Sequence, residues 1–340
     1  MKKLNCFLLM LLALNITACK NSVVTSSEDF IQKLSIERTY SYLEEFQKIA
    51  DANNNNRAVG SSGGIASTEF IVQNLEKLGL KPTIQEFTNS KGKLGKNVIV
   101  ELDGLTDKIT MVGAHYDSVE FGPGINDNAT GVAVLLEIIS QLKEQNIKGQ
   151  NTLRFVFWDS EETYVEGSKF YVKQLSDIEK QKIAHYINVD MVGTKSPNIL
   201  ITDGDGSSWK DLEEKLLGDD KTEQEKNDNK QVFDNLKNAF PVQVKGAEKL
   251  ESLYSSYLEK RNVSFQDDYL LSNSTDVYPF LGLVPTFGIV MTNEQEDESG
   301  ASLYAPCYHQ ACDTIENVDK NSLKLALETI SELLYEIAIK

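Results

Sequence analysis

Histidine is the scarcest chemically versatile residue here, with three in 340 positions, and cysteine stands at only four. Base is short as well: 34 lysines and arginines face 51 acids, a formal charge of −17, and no Lys/Arg cluster forms the basic stripe of a nucleic-acid-binding surface. Nucleic acid is therefore excluded as a partner, although acidity alone names no substrate. No apolar run is long enough to cross a bilayer, since FLLMLLAL at residues 7–14 falls well short of the length required. No internal repeat and no second domain start interrupt the chain. What remains is an ordinary globular composition, 41% hydrophobic and 25% charged, with enough length for a sizeable core.

The short apolar run follows Lys2 and Lys3, the order of an export signal. It leads into Ile16-Thr17-Ala18-Cys19, which resembles the lipobox of bacterial lipoproteins, cleaved just before a cysteine that is then diacylated. The expectation is a signal peptide over residues 1–18, a lipid on Cys19 and a polar tether over residues 19–35. The protein would then lie in the cell envelope, anchored to a bacterial membrane by lipid and not by a spanning helix. An ordinary secretory signal with an incidental cysteine is the alternative. Cys6 would leave with the signal, so Cys307 and Cys312 remain in an oxidising setting as an expected disulfide. A thiolate metal site is the other possibility for such a pair, but it usually wants more soft ligands or Cys-x-x-Cys spacing.

From residue 36 the pattern is that of one domain. Ile36, Tyr40, Leu43, Phe46 and Ile49 recur at spacings of three and four, the stripe of a core-facing helix. NNNNRAVGSSGG (53–64) reads as a loop, followed by Ser67 as the cap of a helix that ends at Gly79. Strand-like runs then follow: NVIVEL (97–102), ITMVGA (109–114), LRFVFWD (153–159), YINVDMV (186–192), NILIT (198–202) and VPTFGIV (284–290). Helical stretches over residues 131–144 and 168–175 lie among them. The alternation predicts an α/β three-layer sandwich with a mainly parallel, mixed central sheet. Residues of about 205–260, densely charged at first and then helix-like, predict a surface helical insertion with a solvated face.

In open parallel sheets, reactive side chains sit in loops just past the carboxyl ends of strands. His115 and Asp117 follow the second strand-like run, Asp127 precedes the next helix, Glu161 and Glu162 follow LRFVFWD, Asp190 ends YINVDMV, and His309 lies beyond VPTFGIV. His185, which precedes its strand, belongs at the opposite edge. Singly these residues say little, because a strand-end aspartate usually caps a helix and a lone histidine is usually structural. Together they bring many like charges to one place, which cations must neutralise. Imidazole with carboxylate and no thiolate suits zinc, and the donors suffice for two Zn2+ sharing a carboxylate.

GAHYDS, GPGINDNATG, FVFWDSEE, INVDMVG, STDVYPF and CYHQACDTIEN resemble, in that order, the motifs of secreted bacterial zinc aminopeptidases, relatives of glutaminyl cyclase and of the transferrin-receptor ectodomain. The likeness runs from about residue 36 to the C-terminus. It implies that His115 and Asp190 hold one zinc, Glu162 and His309 the other, and Asp127 both. It further implies Asp117 as the orienter of His115, Glu161 as general base, Tyr308 as a donor to the oxyanion, and a Cys307–Cys312 disulfide pinning their loop. The implied substrates are peptides with a free N-terminus. Departures are Val277, where many relatives have histidine, leaving the role of Asp276 open, and Tyr164, where relatives often have glycine. A glutaminyl cyclase and a metal-free binding lipoprotein on the same scaffold are the rival readings.

Overall fold

The computed structural model describes residues 26–241, 243–270, 274–296 and 302–340; the expected signal peptide and Cys19 lie outside them. Helices α1 (Ser27–Ile31), α2 (Ile36–Ala52) and α3 (Ser62–Lys77) come first. Strands β1 (Thr83–Thr88), β2 (Leu94–Leu102) and β3 (Ile109–His115) follow, then α4 (Thr130–Glu144), β4 (Thr152–Trp158), α5 (Glu166–Gln174), α6 (Asp177–Lys182), β5 (Ile183–Asp190) and β6 (Asn198–Thr202). Next are α7 (Ser207–Leu217), α8 (Glu223–Ala239), α9 (Ala247–Lys260), β7 (Gln266–Asp268) and β8 (Thr286–Thr292). A small ladder of β9 (Gln295–Glu296) and β10 (Ser302–Leu303) precedes α10 (Lys320–Leu334).

Eight strands form one sheet in the order β1-β2-β4-β3-β5-β8-β6-β7. The central run β4-β3-β5-β8 is parallel, and antiparallel pairs enter at β1/β2, β2/β4 and β6/β8. Side chains on successive strand residues point to opposite faces, so each central strand serves two layers. Val112, Ala114, Phe155, Phe157, Ile187 and Val189 pack beneath α2, α3, α4, α9 and α10, while Met111, Val156, Trp158 and Tyr186 pack with Tyr171 of α5 and with Phe280 on the other face. Every residue of α4 from Thr130 to Leu142 is buried, as the apolar run after the acidic loop demands. Glu137, fully buried within it, is neutralised by Arg38 of α2 (Nε to Oε2 2.5 Å) and also accepts the Ser35 backbone N–H.

The structure departs from the sequence-based reading in three places. Residues 26–35, expected within the tether, fold back as α1, and Phe30 is fully buried in the main core. The helix expected to start at Ser67 starts at Ser62, capped by Ser61, whose Oγ accepts the Gly64 N–H. The two glycines hid that start: a Cβ on Gly63 or Gly64 would lie within 2.4 Å of the Asn56 or Ala58 carbonyl, so glycine here marks close packing and not a loop. The insertion is only partly superficial. α7 and α8 form a peripheral pair around Trp209, Phe233 and Tyr269, whereas α9 buries Leu250, Tyr254 and Leu258 in the core, with Tyr254 hydrogen-bonded to Thr329 of α10 at 2.8 Å.

Candidate metal centre

Asp127 sits on a loop that three separate devices immobilise. Arg57, buried completely, donates to the carbonyls of Tyr116, Pro123 (2.8 Å) and Gly124 (2.5 Å), and its burial lowers its pKa to about 10 despite the acids nearby. Asp313 accepts the backbone N–H groups of Asn126 (2.9 Å) and Asp127 (3.1 Å). Asn126 and Asn128, flanking Asp127, tie the loop to the end of β5: Asn126 accepts from Gly193 N–H, and Asn128 accepts from Met191 N–H and donates to the Val189 carbonyl. The Asp127–Asn128 peptide is cis. Gly124 adopts φ +60°, and a Cβ there would approach the Asp127 carbonyl to 2.4 Å, so the turn requires glycine.

Around Asp127 the predicted residues converge. His115, at the last position of β3, places Nε2 3.2 Å from Asp127 Oδ1 and 3.5 Å from Asp190 Oδ1, with Glu161 Oε2 at 4.0 Å. On the other side His309 Nε2 lies 3.4 Å from Asp127 Oδ2 and 3.0 Å from Glu162 Oε2. Asp127 thus turns one oxygen to each imidazole. Asp117 is buried beside His115, its Oδ1 3.5 Å from Nδ1, while its carboxylate also accepts the backbone N–H groups of Glu161 (3.1 Å) and Glu162 (3.3 Å). One side chain therefore registers the histidine and the glutamate pair together. Glu161 and Glu162 ride a 3₁₀ turn after β4 that closes at Tyr164, whose φ of +73° lies in the left-handed region that favours glycine and whose ring is 81% exposed.

Cys307 and Cys312 are bonded, with Cα atoms 5.3 Å apart. The short loop they close presents Tyr308 and His309, whose rings stack at 3.8 Å. His185 lies apart at the start of β5, where it meets Thr110 and where burial lowers its pKa to about 4. Asp276, left open by the sequence, is fully buried; Ser168 donates to its Oδ1, and its Oδ2 has no hydrogen-bond partner among the described residues. Sequence reasoning missed Arg57, Asp313 and the Ser168 contact. Arg57 and Asp313 carried a signal, the one in its place in NRAVGSSGGIAS, which shares the family resemblance, and the other in CYHQACDTIEN.

Electrostatically the centre is unbalanced without cations. Burial, with Glu162 and Asp276 nearby, pushes Glu161 well above the usual carboxylate range, and His115 relieves this only in part. Burial and Asp127 raise Glu162 to about 7, with His309 opposing. Burial disfavours charge on His115, yet Asp190 and Glu161 overcome it and raise its pKa. His309 rises to about 10 because its hydrogen bonds to Asp127 and Glu162 outweigh burial. Among the described residues, His115 Nε2, Glu162 Oε1 and Asp190 Oδ1 are buried with no hydrogen-bond partner, an arrangement that costs free energy unless a ligand satisfies it. His115, Asp127 and Asp190 form one group able to hold a metal ion, and Asp127, Glu162 and His309 a second. A nitrogen-and-oxygen donor set of this kind fits zinc.

Fold and site together define an α/β protein with a candidate metal centre at the carboxyl edge of its parallel strands. Peptidase family M28 matches residues 97–334, and the chain belongs to that family. It is 32% identical over 240 residues to an aminopeptidase of Pseudomonas aeruginosa, a match that covers 67% of this chain and 39% of that protein, so the chain spans about two fifths of the length of this relative. In fold it is similar to a zinc aminopeptidase from Bacillus subtilis, with a TM-score of 0.66 and 17% identity over 90% of this chain and 96% of that one. It is similar to the same degree to glutaminyl cyclase from Porphyromonas gingivalis, with a TM-score of 0.65 and 19% identity over 89% and 98% of the two chains.

Proposed function

We propose that the protein is a zinc-dependent aminopeptidase that releases N-terminal residues from peptides. The observation that carries this reading is the sharing of Asp127 between two imidazoles, each with a further carboxylate, beside a Glu161 that is held close to His115. His115 and Asp190 would hold one zinc ion, Glu162 and His309 a second, and Asp127 both. Bound zinc supplies Lewis-acid polarisation of the scissile carbonyl and lowers the pKa of water at the site. Glu161 takes the proton of the attacking water and delivers it to the departing amine. Tyr308, with its hydroxyl kept protonated by burial and the surrounding acids, donates to the oxyanion. Asp117 orients His115 and fixes the glutamate turn, and the remaining negative field draws in the substrate ammonium. In the cell the chain would be exported and held at a membrane by lipid on Cys19, with residues 1–18 removed.

The test is release of nitroaniline from aminoacyl-p-nitroanilides by the soluble domain, with and without chelator, together with elemental analysis. The expected result is chelator-sensitive release, about two zinc ions per chain, and a Glu161→Gln variant that keeps its metal while kcat falls by about 10³-fold or more. Chelator-resistant release or a fully active variant would overturn the reading. So would cyclisation of an N-terminal glutamine peptide without cleavage.

A further inference from the structure

The turn that carries Glu161 is bent against the preference of its own residues. Ser160, Tyr164 and Val165 adopt φ values of +65°, +73° and +53°, a left-handed region that a β-branched residue such as Val165 rarely enters. Such strain persists only where the surroundings fix it, and it gathers at functional sites. Val165 is also the residue that holds Glu161 in place, because its N–H donates to the Glu161 carbonyl at 2.8 Å. Ser168, in the first turn of α5, sets its Oγ 3.2 Å from the Val165 carbonyl and within hydrogen-bond reach of Asp276 Oδ1, so one hydroxyl proton is shared between two acceptors. Lys169 runs beside it, donating to the Tyr164 carbonyl at 2.8 Å and standing 5.3 Å over the Tyr278 ring.

The far end of this link is fastened to a different strand. Asn188 of β5, two residues before Asp190, donates its Nδ2 to Thr275 Oγ1 at 3.1 Å, and the Thr275 carbonyl accepts the Tyr278 N–H at 2.9 Å. Asp276 follows directly, fully buried, with Oδ2 lacking a hydrogen-bond partner among the described residues. A carboxyl group placed there costs free energy that an apolar residue of similar size would not, so its use must lie in the contact to Ser168. Resting on the aminopeptidase reading, we infer that Asp276 and Ser168 are a positioning pair for Glu161: they hold Val165 in its left-handed conformation and so keep the general base in register with β5, the strand that bears Asp190. Asp117 fixes the same turn from the side of β3, so the pair supplies the second of two anchors.

The test is a double-mutant cycle on Ser168→Ala and Asp276→Ala in the metal-loaded enzyme, with the aminoacyl-p-nitroanilide that the parent hydrolyses best. In Ser168→Ala, kcat is expected to fall about 10- to 100-fold while KM and zinc content stay near those of the parent. Asp276→Ala is expected to lose as much, and the double variant no more than either alone within about twofold, because both changes cut the same link. Asp276→Asn keeps an acceptor of the same size for Ser168 and is expected to recover most of the loss. In the metal-free chain, hydrogen exchange at the Val165 amide should quicken about tenfold or more in Ser168→Ala while that of α4 stays unchanged. Ser168→Ala removes a single oxygen atom, so the inference stays testable even where Asp276→Ala does not fold. A merely structural pair would lower the melting temperature and leave kcat of the loaded enzyme at the parent value. That outcome, multiplicative losses in the double variant, unchanged exchange at Val165, or no recovery in Asp276→Asn overturns this inference and leaves the aminopeptidase reading standing. A parent enzyme that releases no nitroaniline from any of these substrates removes both.

Discussion

Asp313 illustrates how a residue outside the donor set decides whether that set exists. Its two oxygens take the backbone N–H groups that orient Asn126 and Asp127, and the side chain is almost wholly buried. Asp313→Ala leaves both donors without a partner and is expected to weaken zinc binding about 10- to 100-fold, measured by competition with a chromophoric chelator. Unchanged affinity would show that Arg57 and the asparagines suffice. His185 tests a different property. Its pKa is about 4 in the folded chain against an ordinary 6.5, so unfolding takes up a proton between those values. The contribution is fully present above pH 6.5 and is lost as pH falls toward 4, reaching on the order of 3 kcal/mol. Urea unfolding at pH 7 and pH 5 should show a smaller pH-dependent loss for His185→Gln than for the parent, and equal losses would refute the assignment.

Among the elements, the loop bearing Tyr308 and His309 depends most on a single bond. His309 and Cys307 both adopt positive φ, a conformation uncommon for such residues, within the loop that the disulfide closes. Replacing Cys307 and Cys312 together by serine is expected to cost about 2 kcal/mol for so short a loop. Thermal unfolding beside a zinc titration checks this, and metal affinity should fall with stability. The strands that feed the site were legible because runs such as ITMVGA and YINVDMV are buried on both faces and therefore apolar throughout. β1 escaped notice because TIQEFT is an edge strand, exposed at Thr83, Ile84, Glu86 and Thr88, and so lacks the apolar run of an inner strand.

At the scale of the whole molecule, both ends of the described chain close over the same core. α1 meets α10, and Phe30 is completely buried, so the segment expected to be a tether is part of the folded body. Phe30→Ala should cost about 3–5 kcal/mol, seen as a lower urea midpoint at unchanged slope. A cost within a few tenths of a kcal/mol would return the segment to the role of tether. α9 belongs to the same packing: its charged surroundings in sequence suggested a solvated insertion, yet one stripe of Leu250, Tyr254, Tyr257 and Leu258 suffices to dock it.

Sequence by itself determined which residues could meet. Strand periodicity and the placement of scarce histidines among acids at strand ends are local properties, read one segment at a time. Tertiary structure alone decided that Asp127 faces two imidazoles at once, that Asp117 registers His115 with both glutamate N–H groups, and that Asp190, Val290, Leu200 and Gln266 line up across four strands. The physical reason is that strand order and register are set by how the faces of the sheet pack against distant helices. No stretch of the chain contains that information until the others are in place.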